Sequence, residues 1–338
     1  MTDTQTPDPT QDAERTQPAH TEPGWRAGRL SKGERIDALA VAGRVSGAEG
    51  VSLWQSAWRR LRKDPVFLVG AVIVLAFLIL ALISPWLAPH DPAARLLLDQ
   101  VRQQTNPVPG PQDGFPLGGD TSGRDLLSRL LVGSRQTLLV GVMATLGGLA
   151  GGVVLGTLAG GLGGWVDSVV MRLVDVMLAI PSLLMAFSIA SLFQRGSQWT
   201  LIAAIGIVQV PIFARLLRGS MLAQRHADHV LAARSLGVRP APIVFRHMLP
   251  NAISPVIVQA TLVLAVSIID AAALSFLGLG NPDDSQPEWG QMLGASQRLF
   301  DSHPQLAFYP AMCIVVVALG FTLMGESMRE ALDPKSRR

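Results

Sequence analysis

The side chains of this sequence that could do chemistry gather in one stretch, HADHVLAARSLGVRPAPIVFRHMLPN, residues 226 to 251, which holds His226, Asp228, His229 and His247. Imidazoles and a carboxylate could ligate zinc. A zinc hydrolase, however, needs HExxH spacing, which sets two histidines on one helix face, and a rigidly held third ligand. That pattern is missing, so the histidines read as part of a solvated or partner-facing helix. No GxSxG is present to expose a serine nucleophile, and no catalytic residue can be nominated. The run GGLAGGVVLGTLAGGLGG is rich in glycine, but a phosphate-cradling loop ends in GK[ST] and follows a strand. Neither condition is met here. The single cysteine, Cys313, excludes an internal disulfide framework and a CxxC metal or redox site.

Two acids lie inside apolar runs, where charge is expensive and therefore informative. Asp175 follows Arg172 by three residues, which predicts pairing along one helix face. Asp270, in AVSIIDAAALSF, lies deeper. It reads as a polar group hydrogen-bonded to a neighbouring helix, with a pathway or proton role as the alternative.

The elements that carry these residues are membrane spans. Of 338 residues, 49% are hydrophobic and only 16% charged, a balance foreign to soluble domains. A window of about 20 residues, the length that crosses the hydrocarbon layer, picks out six spans near 66–88, 137–164, 171–193, 199–217, 253–277 and 306–325. They lack the alternation of barrel strands, which predicts an all-α polytopic membrane protein. With the N-terminus inside, 21 of the 28 basic residues fall on the cytoplasmic side, including RRLRK at 59 to 63 and six arginines from Arg215 to Arg246. Both termini are therefore expected to be cytoplasmic. The loop 89–136 falls outside despite five arginines, because long loops translocate with little regard to charge.

Several local signals refine this outline. In GDTSGRDLLSRLLVGSRQT, Thr121 or Ser122 could cap a helix whose Leu126, Leu127, Leu130 and Leu131 oppose Arg124, Ser128 and Arg129, predicting a helix along the membrane surface. In the second span, Gly148, Gly152, Gly156, Gly160 and Gly164 recur every fourth residue and form a face that a neighbouring backbone can approach closely. Pro181 and Pro211 interrupt two further spans and predict bends.

The stretch 226–251 reads as a cytoplasmic helix-turn-helix. A first helix over 226–236 ends at Gly237, where a left-handed residue is needed. Pro240 or Pro242 opens a second helix and Pro250 closes it. Ala227, Ala232 and Ala233 keep the first helix slim, Val230, Leu231 and Leu236 supply apolar anchors, and Arg234 belongs to a charged rim. Such a helix suits a groove on a partner protein. Tethering between two spans argues against nucleic acid, since little freedom remains to enter a major groove.

HVLAARSLGVRPAPIVFRHMLPN resembles the cytoplasmic loop of ABC-importer permeases, with its glycine and its downstream LP. PLGGDTSGRDLLSRLLVGSR, SFLGLG and PEWGQML are similar to blocks of the C-type permease subunit of dipeptide, oligopeptide and nickel importers, and the resemblance runs from about 54 to 335. Two positions depart from that pattern: Leu231 stands where the generic loop has Glu, and Asp270 lies one position before an expected Glu. The resemblance implies a type I importer permease fold. It divides the chain into a disordered polar segment (1–53), a basic segment with the first helix (54–88), an extracytoplasmic loop (89–136), a five-helix core (137–330) with its coupling loop (218–252), and a cytoplasmic tail (331–338). It implies that Val230, Leu231, Ala232, Ala233, Arg234, Leu236 and Gly237 couple to an ATPase. The implied partners are a second homologous permease, two ABC ATPases that use ATP and magnesium, and an extracytoplasmic solute-binding protein. This chain itself would carry no cofactor and sit in a bacterial or archaeal inner membrane. Peptides are the implied substrate, with nickel or another small solute, or a self-sufficient secondary transporter, as alternatives.

Overall fold

The computed structural model describes residues 58–102, 105–193 and 196–332. The polar segment 1–53 and the basic tail beyond Leu332 lie outside the described residues. Within them the protein is helical, with only isolated bridges, such as Gly119 to Asp125, in the long loop that follows the first helix.

Helix α1, Pro65–Leu87, starts where Pro65 needs no N–H partner and the Asp64 carboxylate accepts from the Val66 N–H at 3.0 Å. Phe67, Gly70, Val74, Ala81 and Ser84 form its one buried seam, and most of the remaining surface is exposed aliphatic side chain, as lipid-facing helices require. The seam meets α9, Gln305–Leu332: a methyl group at Gly70 would lie 2.8 Å from the Gly320 carbonyl oxygen.

Helix α2, Leu126–Leu162, absorbs the stretch expected to lie on the membrane surface. Asp125 rather than Thr121 or Ser122 caps it, accepting from the Ser128 N–H at 3.1 Å. The polar side is not turned to water either, because Arg124, Ser128 and Arg129 are all buried. At 37 residues the helix is about 55 Å long, more than the bilayer needs.

Gly148, Gly152, Gly156 and Gly160 seat α2 against α5, Gln198–Gln224. A Cβ at Gly152 would lie 2.3 Å from the Phe213 Cβ, and one at Gly156 2.8 Å from the Ala214 carbonyl. Gly164 does not belong to this seam. It lies beyond the helix end, at φ +58, with open space where its side chain would be.

The third span is broken. Helix α3, Gly164–Ala179, and α4, Ser182–Ser191, meet at 94°, because Pro181 offers no N–H to continue α3 and biases Ile180 toward extended backbone. Pro211, in contrast, sits within a continuous α5. The fifth span is α7, Ser254–Phe276, and the last is α9. Between them α8, Trp289–Ala295, is clamped to the C-terminal end of α7, with Gly290 against the Ala272 backbone and Gly294 against Phe276. Among the described residues, five helices are long and apolar enough to span, and the bent pair makes up to six.

Candidate functional site

Helix α6, Asp228–Ser235, ends in a Schellman turn: Gly237 has φ +75, its N–H donates to the Arg234 carbonyl, and the Val238 N–H donates to the Ala233 carbonyl at 3.1 Å. The chain then runs through Pro240–Pro242 into a π-helical turn, Ile243–Met248, and on through Leu249–Ala252. Pro250 therefore does not close the second helix. Its missing N–H is accommodated by the wider turn before it, where the Leu249 N–H reaches back to Val244.

Not all the expected coupling residues face outward. Val230 (0% exposed) and Ala233 (6%) point into the chain and pack in one cluster with Ile243, Val244, Met248, Phe213, Leu217 and Met221. They are roots, not anchors for a partner. Leu231, Ala232, Arg234, Leu236 and Gly237 are exposed, Leu236 at 84%. Phe245, missed by sequence reasoning, joins that exposed apolar set at 63%. Its position in a π-turn hides it from 3.6-residue periodicity. The buried face of α6 thus shares one packed cluster with the 243–248 turn, with α5 through Phe213, Leu217 and Met221, and with the start of α7 through Val256, and displacing it would strain both spans.

Side chains from α5 and from Arg225, which caps its end, complete this base. Arg225 donates to the Gly160 carbonyl at 2.9 Å, satisfying a free carbonyl at the C-terminal end of α2. Arg218 grips Asp167 of α3 through Nε to Oδ1 at 2.9 Å and Nη2 to Oδ2 at 2.6 Å. Asp175 pairs with Arg215 of α5, not with Arg172 on its own helix. Sequence spacing favours the local partner, because cross-helix partners are set by packing. His229 contacts the His247 carbonyl through Nε2 at 3.2 Å. Among the described residues no three His, Cys, Asp or Glu side chains converge as metal ligands.

Near the middle of the bundle, Thr145 and Ser267 share a hydrogen bond at 3.1 Å between α2 and α7. Asp270, one turn further along α7, is 9% exposed, and its Oδ2 finds no hydrogen-bond partner. The partner expected on a neighbouring helix is thus missing for that oxygen.

At the N-terminal end of α2, Arg124 and Arg129 both engage Asp120, and both donate to the Asp284 carbonyl at 3.0 Å. These contacts tie the loop before α2 to the loop before α8. Trp289 is fully buried. Its indole N–H donates to the Leu130 carbonyl at 2.9 Å, and its ring leans on Gly133 and edge-on to Phe77. Glu288 beside it is 5% exposed with Oε1 unpartnered, and burial pushes its carboxyl up to about 7, although the Ser275 hydroxyl and the Gly290 N–H pull the other way.

A carboxyl whose folded pKa lies above its unfolded value binds a proton on folding. Its stabilising effect is full below about pH 4.5, is lost as pH rises toward about 7, and leaves a penalty above that. Glu288→Gln should therefore raise the melting temperature of the purified protein at pH 8 and change it least at pH 5. Equal shifts at both values would show that Glu288 is ionised in the folded protein.

The chain is similar to several known proteins. Residues 152–338 match the family of binding-protein-dependent transport system inner membrane components, and residues 52–107 match the N-terminal transmembrane domain of oligopeptide transport permease C. The chain is 39% identical over 290 residues to the dipeptide transport system permease protein DppC of Alkalihalophilus pseudofirmus, covering 85% of this chain and 91% of that one. It is 36% identical over 282 residues to the glutathione transport system permease protein GsiD of Pectobacterium atrosepticum, covering 83% and 91%. It is also 39% identical over 278 residues to the di/tripeptide transport system permease protein DppC of Pseudomonas aeruginosa, covering 82% and 91%. In fold it is similar to a chain from inward-facing structures of the MetNI methionine ABC transporter, at 17% identity and a TM-score of 0.50, covering 61% of this chain and 96% of that one.

Proposed function

The chain belongs to the family of binding-protein-dependent transport system inner membrane components, and on that premise we propose that it is one of two membrane halves of an importer for short peptides. A homologous permease supplies the other half of the pathway. Two ATPase subunits, using ATP and magnesium, dock on the exposed side of α6, and a solute-binding protein delivers substrate to the outer loops. The observation that carries this reading is the two-sided coupling helix, with Val230 and Ala233 rooted in the spans while Leu231, Arg234 and Leu236 stand free. Such a helix moves as a rigid body with whatever grips it and shifts the spans between two arrangements. Chemistry resides in the ATPases; this chain transmits force. Relatives named for dipeptides, di- and tripeptides and glutathione support a peptide cargo over nickel.

The test is uptake together with orientation. Cells lacking this chain should lose ATP-dependent uptake of labelled dialanine and regain it on complementation. In a Cys313→Ser background, Gln112→Cys and Ser285→Cys should react with an impermeant thiol reagent from outside, and Ala241→Cys should not, as the basic residues dictate. Uptake that persists without this chain would refute the role. Outside labelling at Ala241→Cys would reverse the topology.

A further inference from the structure

Three carboxylates are buried among the described residues: Asp125, Asp270 and Glu288. Asp125 faces His90, and Asp270 sits within α7. Glu288, in the connection between α7 and α8, has no ion-pair partner among the described residues, and its Oε1 accepts no hydrogen bond. The Ser275 hydroxyl lies near enough to pull the carboxyl pKa down, yet it makes no hydrogen bond itself. A buried carboxylate in this state is costly unless a proton or a positive charge answers it.

Glu288 lines a small pocket built by three elements. Helix α2 supplies Gln136 and Val140, the first turn of α5 supplies Gln198 and Leu201, and the connection between α7 and α8 supplies Gln286 and Glu288 itself. Val140 and Leu201 are buried with the carboxylate, whereas Gln136 and Gln198 are half-buried and Gln286 is exposed. Amides therefore ring the mouth, and an aliphatic wall flanks the acid. Gln198 donates to Gln136 Oε1 at 2.9 Å and Gln136 to Gln286 Oε1 at 3.1 Å, which leaves each acceptor oxygen a second lone pair. The lining holds no Lys, Arg or His, and the cavity of about 10 Å³ admits one water-sized group.

We propose that this pocket binds a primary ammonium group, with the Glu288 carboxylate as its counter-ion and the amide oxygens of Gln136 and Gln286 as further acceptors. Charge selects a monovalent guest, because one carboxylate balances one positive charge, and a calcium ion would ask for six or more oxygens. Shape selects ammonium over sodium. An alkali ion needs oxygen on every side, whereas an alkylammonium has three donors and a carbon that can rest against Val140 and Leu201. The head is about as large as a water molecule, so it enters while the rest of the molecule stays at the mouth. A free alkylamine and the N-terminus of a short peptide present the same head; the second source rests on the peptide reading above, and the site itself does not. The pocket lies at the end of α5 remote from α6, about 40 Å along a helix of 27 residues. An occupant would therefore tie α2, α5 and the approach to α8 together at that end.

The assembled importer, purified with its partner permease and ATPases, provides the test at about pH 8.5, where a carboxyl that titrates at about 7 is ionised. Ethylammonium chloride should raise its melting temperature by about 2 °C or more over sodium chloride at equal ionic strength. Tetraethylammonium chloride, too large and without donors, should match sodium, and Glu288→Gln should erase the ethylammonium shift. Dialanine and N-acetyl-dialanine then separate the sources. A shift with dialanine alone, lost in Glu288→Gln, assigns the peptide N-terminus, and a shift with ethylammonium but not dialanine assigns a free amine; both support the site. Sodium stabilising the importer as much as ethylammonium, or an ethylammonium shift that survives in Glu288→Gln, would overturn the proposal, and the comparison of salts on the wild type stands even where the variant does not assemble. An importer that does not take up dialanine but still responds to ethylammonium through Glu288 would overturn the peptide reading alone.

Discussion

Gly152→Leu is expected to remove this chain from the membrane fraction as a folded protein. The side chain has nowhere to go: its first carbon alone would lie 2.3 Å from the Phe213 Cβ and 3.0 Å from both the Ala214 nitrogen and the Val210 carbonyl oxygen. Two of these three atoms are backbone of α5, so no rotamer change relieves the clash, and α2 and α5 must separate. Overpacking a core by a few methylenes costs about 1–3 kcal/mol. A leucine that parts two helices along their main seam exceeds that range, because Phe213, Leu217 and Met221 all lose contacts along it. Those residues also belong to the cluster that roots α6, so the damage reaches that helix. Gly147→Ala, one residue from the seam, meets nothing within 4 Å and exchanges glycine for a better helix former, which should leave expression and melting temperature unchanged or slightly higher. Size-exclusion profiles of the two solubilised variants separate these outcomes. A monodisperse Gly152→Leu protein with wild-type melting would mean that the glycine seam does not hold the bundle together.

Much of this architecture could be read from the sequence because the bilayer imposes strong, local rules. Apolar length marks the spans, Pro181 marks the break, and four-residue glycine spacing marks a close helix contact; each is a property of neighbouring residues on one element. What could not be read depends on distant partners. Nothing local to Asp175 names Arg215, forty positions away, over Arg172, three away. The start of α2 departs from its periodicity for a related reason. Arg124 and Arg129 read as a wet face on periodicity alone, yet Asp120 and the Asp284 carbonyl satisfy them inside the protein, so a helix polar on that side can still be buried there. Helix α6 shows the same limit. All its small and apolar residues were assigned to one outward-facing role, but eight residues, barely two turns, must also hold the helix to the bundle, and only packing tells which of Val230, Leu231 and Ala233 do so.

That division gives two opposite failures on one short helix. Leu236→Arg is expected to leave the chain folded and abolish uptake. Leu236 is 84% exposed at the tip of α6, beside the Gly237 turn, so arginine meets no crowding within the chain. In a partner groove the same residue loses its apolar anchor and brings a desolvated charge, and anchors of that kind carry 2 kcal/mol or more, roughly a thirtyfold loss of affinity. Ala233→Arg is expected to fail earlier. At 6% exposure, against Ile243, Val244 and Met248, a guanidinium would be buried without a counter-ion, and α6 would come away from the spans before any partner arrives. Gly237→Val lies between the two: the space around it is open, but φ +75 strains a β-branched residue by about 1–2 kcal/mol and tilts the tip that carries Leu236. Melting temperature and co-purification of a tagged ATPase, measured on each variant, distinguish these cases. Leu236→Arg should melt as wild type without retaining ATPase, Ala233→Arg should melt lower and retain none, and Gly237→Val should show a partial loss of both. Full ATPase retention and uptake in Leu236→Arg would mean that the exposed face of α6 is not where force enters the membrane.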